Sequence, residues 1–255
     1  MSDIDDTRAP LMDHLIELRG RLLRSFVALG IAFAIGLYFA KPIFGLLLHP
    51  LLEAGQKRLV YISLFEAFFS QVKVAFFFAT MVAFPFMATQ LYLFVAPGLY
   101  RNEKAAFLPF LLMAPVFFAM GAALAYFVAM PMALHFLLGF QGNIGGVQQD
   151  ALPGVGNYLN FATTFLFGFG AAFQLPVLLL ILERAGIVTR AQLAGGRRYA
   201  IAISGVVAAV LTPPDAMSML LLWVPLVLLY EFALIVMLFS QRKRDAAKPE
   251  TEHAE

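Results

Sequence analysis

Asp13, Glu17 and Arg21 recur at four-residue spacing just ahead of the first long apolar run. On a helix they share one face, and Glu17 with Arg21 makes an exposed pair worth about 0.2–0.5 kcal/mol. A carboxylate held ionised at a lipid–water boundary can also capture an arginine from a partner. Glu103 carries the same two possibilities. Asn102 can cap the helix that follows, and Glu103 then lies in its first turn, where the helix dipole favours an anion. Asp215 follows Pro213-Pro214, a setting in which an aspartate is ordinary turn chemistry. Glu231 interrupts an apolar helix, where a buried charge costs roughly 2.5–3.5 kcal/mol on the insertion scale for Asp and basic residues. The sequence offers it no obvious partner, so it must face protein, face water or carry a proton. Gln174, beside Pro176, is the polar group deepest in the fourth apolar run, where a helix–helix hydrogen bond is its default role.

Other chemistries find no residues to carry them. No Gly-Lys pair occurs, so a phosphate loop of the Walker type is absent and any uphill work must come from an ion gradient or a partner. There is no cysteine, and His14, His49, His135 and His253 are scattered along the chain. Ser204-Gly205 in the fifth apolar run lacks a nearby base, and a serine there bonds back to its own backbone. We expect no enzyme, no cofactor, no metal and no nucleic-acid partner.

The elements that must position these groups are written in where charge is missing. Of the 255 residues, 61% are hydrophobic and 13% charged, and residues 74–100 and 105–134 contain no Asp, Glu, Lys or Arg. A water-soluble helix must show a polar face, so these runs belong in lipid. Six crossings are predicted, over 22–39, 70–95, 105–134, 158–182, 199–211 and 216–230, the last able to lengthen to about 239. Residues 43–67 are too polar to cross and are predicted as short surface helices. Pro85 lies inside the second crossing, and Pro109, Pro115 and Pro131 interrupt the third. The fifth and sixth are expected to be short: 13 to 16 helical residues reach roughly 20–24 Å against about 30 Å of hydrocarbon. The bilayer would thin around them.

The domain reading is an amphipathic segment 1–21, a six-helix domain 22–239 and a disordered tail 240–255. Leu11, Leu15, Leu18 and Leu22 give the first segment its apolar stripe. The polar start, without a small-residue cleavage site after the first run, predicts a retained anchor and not an export signal. Of the 18 Lys and Arg residues, 14 fall in the termini and even-numbered loops and four in the first odd-numbered loop, which predicts both termini in the cytoplasm.

Several motifs now combine. His14-Leu15-Ile16-Glu17-Leu18-Arg19 with Arg21, Phe94-Val95-Ala96-Pro97-Gly98-Leu99-Tyr100 with Glu103, and Ala125-Tyr126-Phe127 with Pro131 occur in that order. Leu211-Thr212-Pro213-Pro214-Asp215 and Pro225 with Tyr230-Glu231 follow. The set, covering 11 to about 239, resembles the TatC family of twin-arginine translocase subunits. The resemblance implies an all-α polytopic protein of the bacterial cytoplasmic (inner) membrane that receives signal peptides bearing two adjacent arginines. It implies single-span TatA and TatB partners, lipid, self-association in a receptor complex, and export of folded precursors driven by the proton-motive force. The positions matching Glu17 and Glu103 would bind the arginine pair, with Arg19 and Phe94 contributing. Pro50 would lie in the external cap, and Pro50, Asp215 and Glu231 would serve transport or partner contact. The family often carries a glutamate where this chain has Gln174, and an amide does not titrate. The competing reading is a secondary transporter or proton-conducting protein, which would call for related halves and acidic groups at mid-membrane; no internal repeat is visible.

Overall fold

The computed structural model describes residues 3–95, 104–149, 151–184 and 186–246. The chain runs through α1 (Asp3–Tyr38), α2 (Ala40–Glu53), α3 (Glu66–Val95), α4 (Lys104–Leu124), α5 (Met130–Leu138), α6 (Val155–Ala172), α7 (Leu175–Arg184), α8 (Arg190–Gly195), α9 (Arg197–Leu211) and α10 (Ala216–Ala246). A π-helical turn, Ala125–Ala129, joins α4 to α5 just before Pro131, whose missing N–H breaks the regular ladder at that point. Among the described residues, five segments are long and apolar enough to cross a membrane: Leu15–Tyr38, Glu66–Leu91, Met113–Leu138, Val155–Arg184 and Ala216–Gln241.

The α6–α7 segment is the central post. Within its most apolar window 56% of residues are buried, against 11% for α1, which packs at the edge against α3. Phe165 and Phe169 of α6, Met130 of α5 and Leu222 of α10 are fully buried in the main core. The post bends at Phe173-Gln174, two residues ahead of Pro176, which cannot donate to the turn before it. Close approaches use glycine. A Cβ at Gly121 of α4 would stand 2.6 Å from the Phe169 carbonyl oxygen, and one at Gly36 of α1 would stand 2.7 Å from that of Ala75 in α3. With lipid replacing water as solvent, such backbone contacts do much of the work that hydrophobic burial does elsewhere.

Two expectations need correction. The sixth apolar helix is not short: α10 runs for 31 residues, straight past Glu231, because Arg197 neutralises that carboxylate from α9. The same helix carries the first part of the expected disordered tail, up to Ala246. α9 keeps its predicted shortness, 15 residues or about 22 Å. α1 itself runs from Asp3 through the amphipathic start into the first apolar run without a break. Between α5 and α6 the glycine-rich loop forms a hairpin, β1 (Gly142–Ile144) and β2 (Val147–Gln149), around Gly145-Gly146 at φ 62° and 89°. Both turn positions need φ > 0, which glycine adopts freely.

Candidate functional site

At the end of the molecule where α1 enters its apolar stretch, Glu17 Oε1 accepts two bonds from Arg21, at 3.0 Å from Nε and 2.5 Å from Nη2. The intrahelical pair read from the spacing is therefore formed. Arg21 uses only one carboxylate oxygen, and Oε2 bonds to nothing among the described residues, although a carboxylate offers about four acceptor positions. Arg19 is exposed on another face of α1. Below the pair an apolar groove of about 480 Å³ opens between α1 and α3, floored by Phe167 of α6. Leu18, Leu22 and Ser25 form one wall; Phe84, Met87, Gln90 and Phe94 form the other. Glu103 and the segment from Ala96 to Tyr100 lie outside the described residues.

The opposite end is a stitched cap. Pro50 is fully buried inside α2 and has no N–H to give the Leu46 carbonyl. The Tyr126 hydroxyl, reaching from the π-helical turn, donates to that carbonyl at 2.8 Å. Tyr158 of α6 donates to the neighbouring Leu47 carbonyl at 2.5 Å. Glu66, in the first turn of α3, gathers three backbone donors: Ile62 at 2.5 Å and Ser63 at 3.2 Å on Oε2, and Gly156 at 2.5 Å on Oε1. This carboxylate ties the linker after α2 to the start of α6. Val60 adds a short bridge, donating to Pro153 and accepting from Val155. Asp215 is buried at the start of α10, where Oδ1 accepts from the Ser218 N–H at 2.6 Å as a helix cap. Its Oδ2 has no partner among the described residues.

A third cluster fastens α8 and α9 onto α10. Glu231 and Arg197 form a two-pronged pair, 2.9 Å from Nε to Oε1 and 3.0 Å from Nη2 to Oε2. The adjacent Tyr230 donates to the Leu193 carbonyl at 2.7 Å, and Trp223 Nε1 donates to the Ile201 carbonyl at 3.0 Å. Gln174 plays its expected part: its Nε2 donates to the Ala114 carbonyl of α4 at 2.8 Å. It also borders a second apolar groove of about 450 Å³ beside Ile203, Val207 and Tyr230. Ser204 bonds to its own helix, donating to Ile201 at 2.9 Å.

The family model of the Sec-independent protein translocase protein TatC matches residues 13–225. The chain belongs to the TatC family. A Sec-independent protein translocase protein TatC from Magnetococcus marinus is 42% identical over 241 residues, covering 94% of this chain and 88% of the relative. One from Aquifex aeolicus is 38% identical over 238 residues, covering 92% and 97%. Two crystal structures of the twin-arginine translocase receptor TatC superpose on this fold, with TM-scores of 0.73 and 0.74 at 36% and 38% identity. They cover 89% and 88% of this chain and 99% and 98% of their own. As a TatC-family protein this is a multi-pass membrane component of a protein translocase and not an enzyme.

The structure lines one groove with Phe94 and with Arg21, the partner of Glu17, and places Pro50, Asp215, Gln174 and Glu231 elsewhere, each with a structural partner or packing site of its own. Arg197 is the clearest omission from the sequence reading. It lies 34 residues from Glu231, and no periodicity connects two helices across a turn. Glu66 was equally hidden, because its donors are backbone groups that sequence does not distinguish.

Proposed function

We infer that this chain is the signal-peptide receptor and core subunit of the twin-arginine translocase, taking the paired arginines of folded precursors on Glu17 and Glu103. The observation that carries this reading is the Oε2 of Glu17, unbonded among the described residues, on an acid held by Arg21, which itself lines an apolar groove. Arg21 holds the acid in place from one side and leaves the other oxygen for an incoming guanidinium. Phe94 lines the same groove. Arg19, exposed two residues on and turned to the other side of α1, enters this reading through the family resemblance alone.

Magnitudes support a role for the groove. A charge-assisted bond contributes about 1.5–3 kcal/mol net, so two give about 3–6. Micromolar binding needs about 8 kcal/mol. The remainder must come from the apolar part of the signal, and the α1–α3 groove is where it lies closest to Glu17. Lysine lacks the planar fork, so replacing one arginine of the signal weakens capture.

The wider reading has six crossings, the short α9 being the fifth, with both termini in the cytoplasm of a bacterial inner membrane. Lys and Arg distribution supports that orientation. Six helices around a packed core cannot enclose a folded domain some tens of ångströms across. TatA and TatB must therefore be recruited, beside the short α9 where the bilayer thins, with further copies of this chain in the receptor complex and the proton-motive force as the energy source. Asp215 and Glu231 shape that face through the helix cap and the α9–α10 pair. The test is site-specific crosslinking to a twin-arginine peptide in native membranes. Glu17→Ala and Glu103→Ala are each expected to abolish it while the protein stays in the membrane. Unchanged crosslinking in both variants refutes the assignment.

A further inference from the structure

The α1–α3 groove holds one polar group that the fold does not satisfy. Gln90 is 8% exposed, and its Oε1 has no hydrogen-bond partner among the described residues. The other polar groups lining the groove are all accounted for. Ser25 donates to the Arg21 carbonyl at 3.0 Å, Thr80 to the Phe76 carbonyl at 2.9 Å, and Arg21 to Glu17. Buried polar atoms are almost always paired in native proteins, so an orphan calls for an explanation. Gln90 differs from Asp215, whose Oδ2 is also unpartnered among the described residues, in lining an otherwise apolar channel that a partner can enter.

Geometry narrows the ligand. Met87, Gln90, Leu91 and Phe94 lie on one stripe of α3, so Gln90 sits about 6 Å deeper than Phe94 along the helix. The groove continues to Thr80, a run of about 21 Å, long enough for about six extended residues. A carbonyl oxygen at that depth accepts and does not donate. A peptide lying with its apolar side chains in the groove brings its own main-chain N–H groups, which are unpaired if the segment is extended and unpaired in the first turn if it is helical. We propose that Gln90 is a binding residue for the apolar segment of the incoming peptide, its Oε1 accepting a main-chain N–H just past the basic pair. This rests on the receptor reading but adds a second, sequence-independent grip: Glu17 reads guanidinium, Gln90 reads backbone.

The experiment uses the full-length protein in lipid nanodiscs and fluorescent peptides containing the basic pair plus the apolar segment, in Arg-Arg and Lys-Lys forms. Gln90→Leu is expected to weaken both forms by the same factor, about five- to tenfold, the value of one hydrogen bond. Glu17→Ala is expected to erase the preference for Arg-Arg. Without peptide, Gln90→Leu should leave Tm unchanged or raise it, because it removes an unpaired buried group. A lowered Tm identifies a structural role and overturns the proposal. If Gln90→Leu binds both peptides like the parent while Glu17→Ala still loses discrimination, Gln90 is refuted and the receptor reading stands. If the parent shows no arginine preference at all, the receptor reading itself fails and Gln90 falls with it. Should Gln90→Leu not fold, the unaltered protein decides: a backbone N-methyl scan of the peptide must find one position past the basic pair that loses about the same factor, and a flat scan overturns the assignment.

Discussion

Replacing Tyr126 by Phe removes one oxygen, and the cost should depend on a residue that Tyr126 does not bond. In α2 the Leu46 carbonyl would ordinarily accept from the N–H four residues on, but that residue is Pro50. Tyr126 supplies the missing donor at 2.8 Å. Without it the carbonyl is orphaned, and an unsatisfied backbone acceptor costs about 1–3 kcal/mol. Because Leu46 lies at an exposed part of α2, where water reaches the carbonyl more easily, we expect the lower half, about 1–2 kcal/mol. In a Pro50→Ala background the new backbone N–H takes over, and Tyr126→Phe should then cost about 0.5 kcal/mol, the worth of an optional second bond.

The double-mutant cycle isolates this coupling, about 1 kcal/mol, from whatever Pro50→Ala does by losing a fully buried ring and gaining helix propensity. Tyr158→Phe is the internal control. Its acceptor, Leu47, has a normal helical donor in Leu51, so its cost should be the same in both backgrounds. Equilibrium unfolding in mixed micelles, followed by circular dichroism, measures all six proteins. If Tyr126→Phe costs the same in the parent and in the Pro50→Ala background, within about 0.3 kcal/mol, the orphan-carbonyl reasoning is wrong.

Three further outcomes follow from other contacts. Gly121→Ala should destabilise by about 1–3 kcal/mol, because its Cβ meets the Phe169 backbone, whereas Gly45→Ala, with open space around it, should stabilise α2 by up to about 1 kcal/mol; the same unfolding assay ranks them, and equal effects would contradict the close helix crossing. Arg197→Glu and Glu231→Arg should each cost about 0.2–1 kcal/mol, since the pair is partly exposed, and the double exchange should recover most of the loss; a double variant as unstable as the two losses added would deny the pairing. Glu66→Gln should speed hydrogen exchange at the Ile62 and Gly156 amides without affecting exchange in α10, and unaltered exchange at both amides would mean the carboxylate does not hold the cap.

Helix placement was legible because lipid leaves a coarse signature. Uncharged runs mark α3 through α5, whereas the fourth run reads as one span and its bend ahead of Pro176 emerges only in the structure. The length of α10 was misjudged for a specific reason. Glu231 in an apolar run looks like a boundary when its charge is counted alone, and only the position of Arg197 shows that the charge is already neutralised. The hairpin at Gly145-Gly146 was available in principle. Two glycines between Asn143-Ile144 and Val147-Gln148 are a turn signal, but three-residue strands are too short to show alternation.

Polar groups were harder to place than helices because their meaning lies in partners that come from other elements. Spacing within one helix found the Glu17–Arg21 pair, since i and i+4 share a face. Glu66, Tyr126 and Gln174 each bond to main chain 60 to 90 residues away, and a main-chain group looks alike at every position in a sequence. In a medium with no water to fall back on, each such group must nevertheless find a partner inside the protein. That demand makes the accounting diagnostic. Where a proline removes a donor, a tyrosine replaces it; where a carboxylate interrupts α10, an arginine from α9 meets it. Gln90 breaks this pattern in the very groove lined by Arg21, the partner of Glu17, and a fold that pairs its other groove-lining polar groups so consistently leaves that oxygen for a visitor.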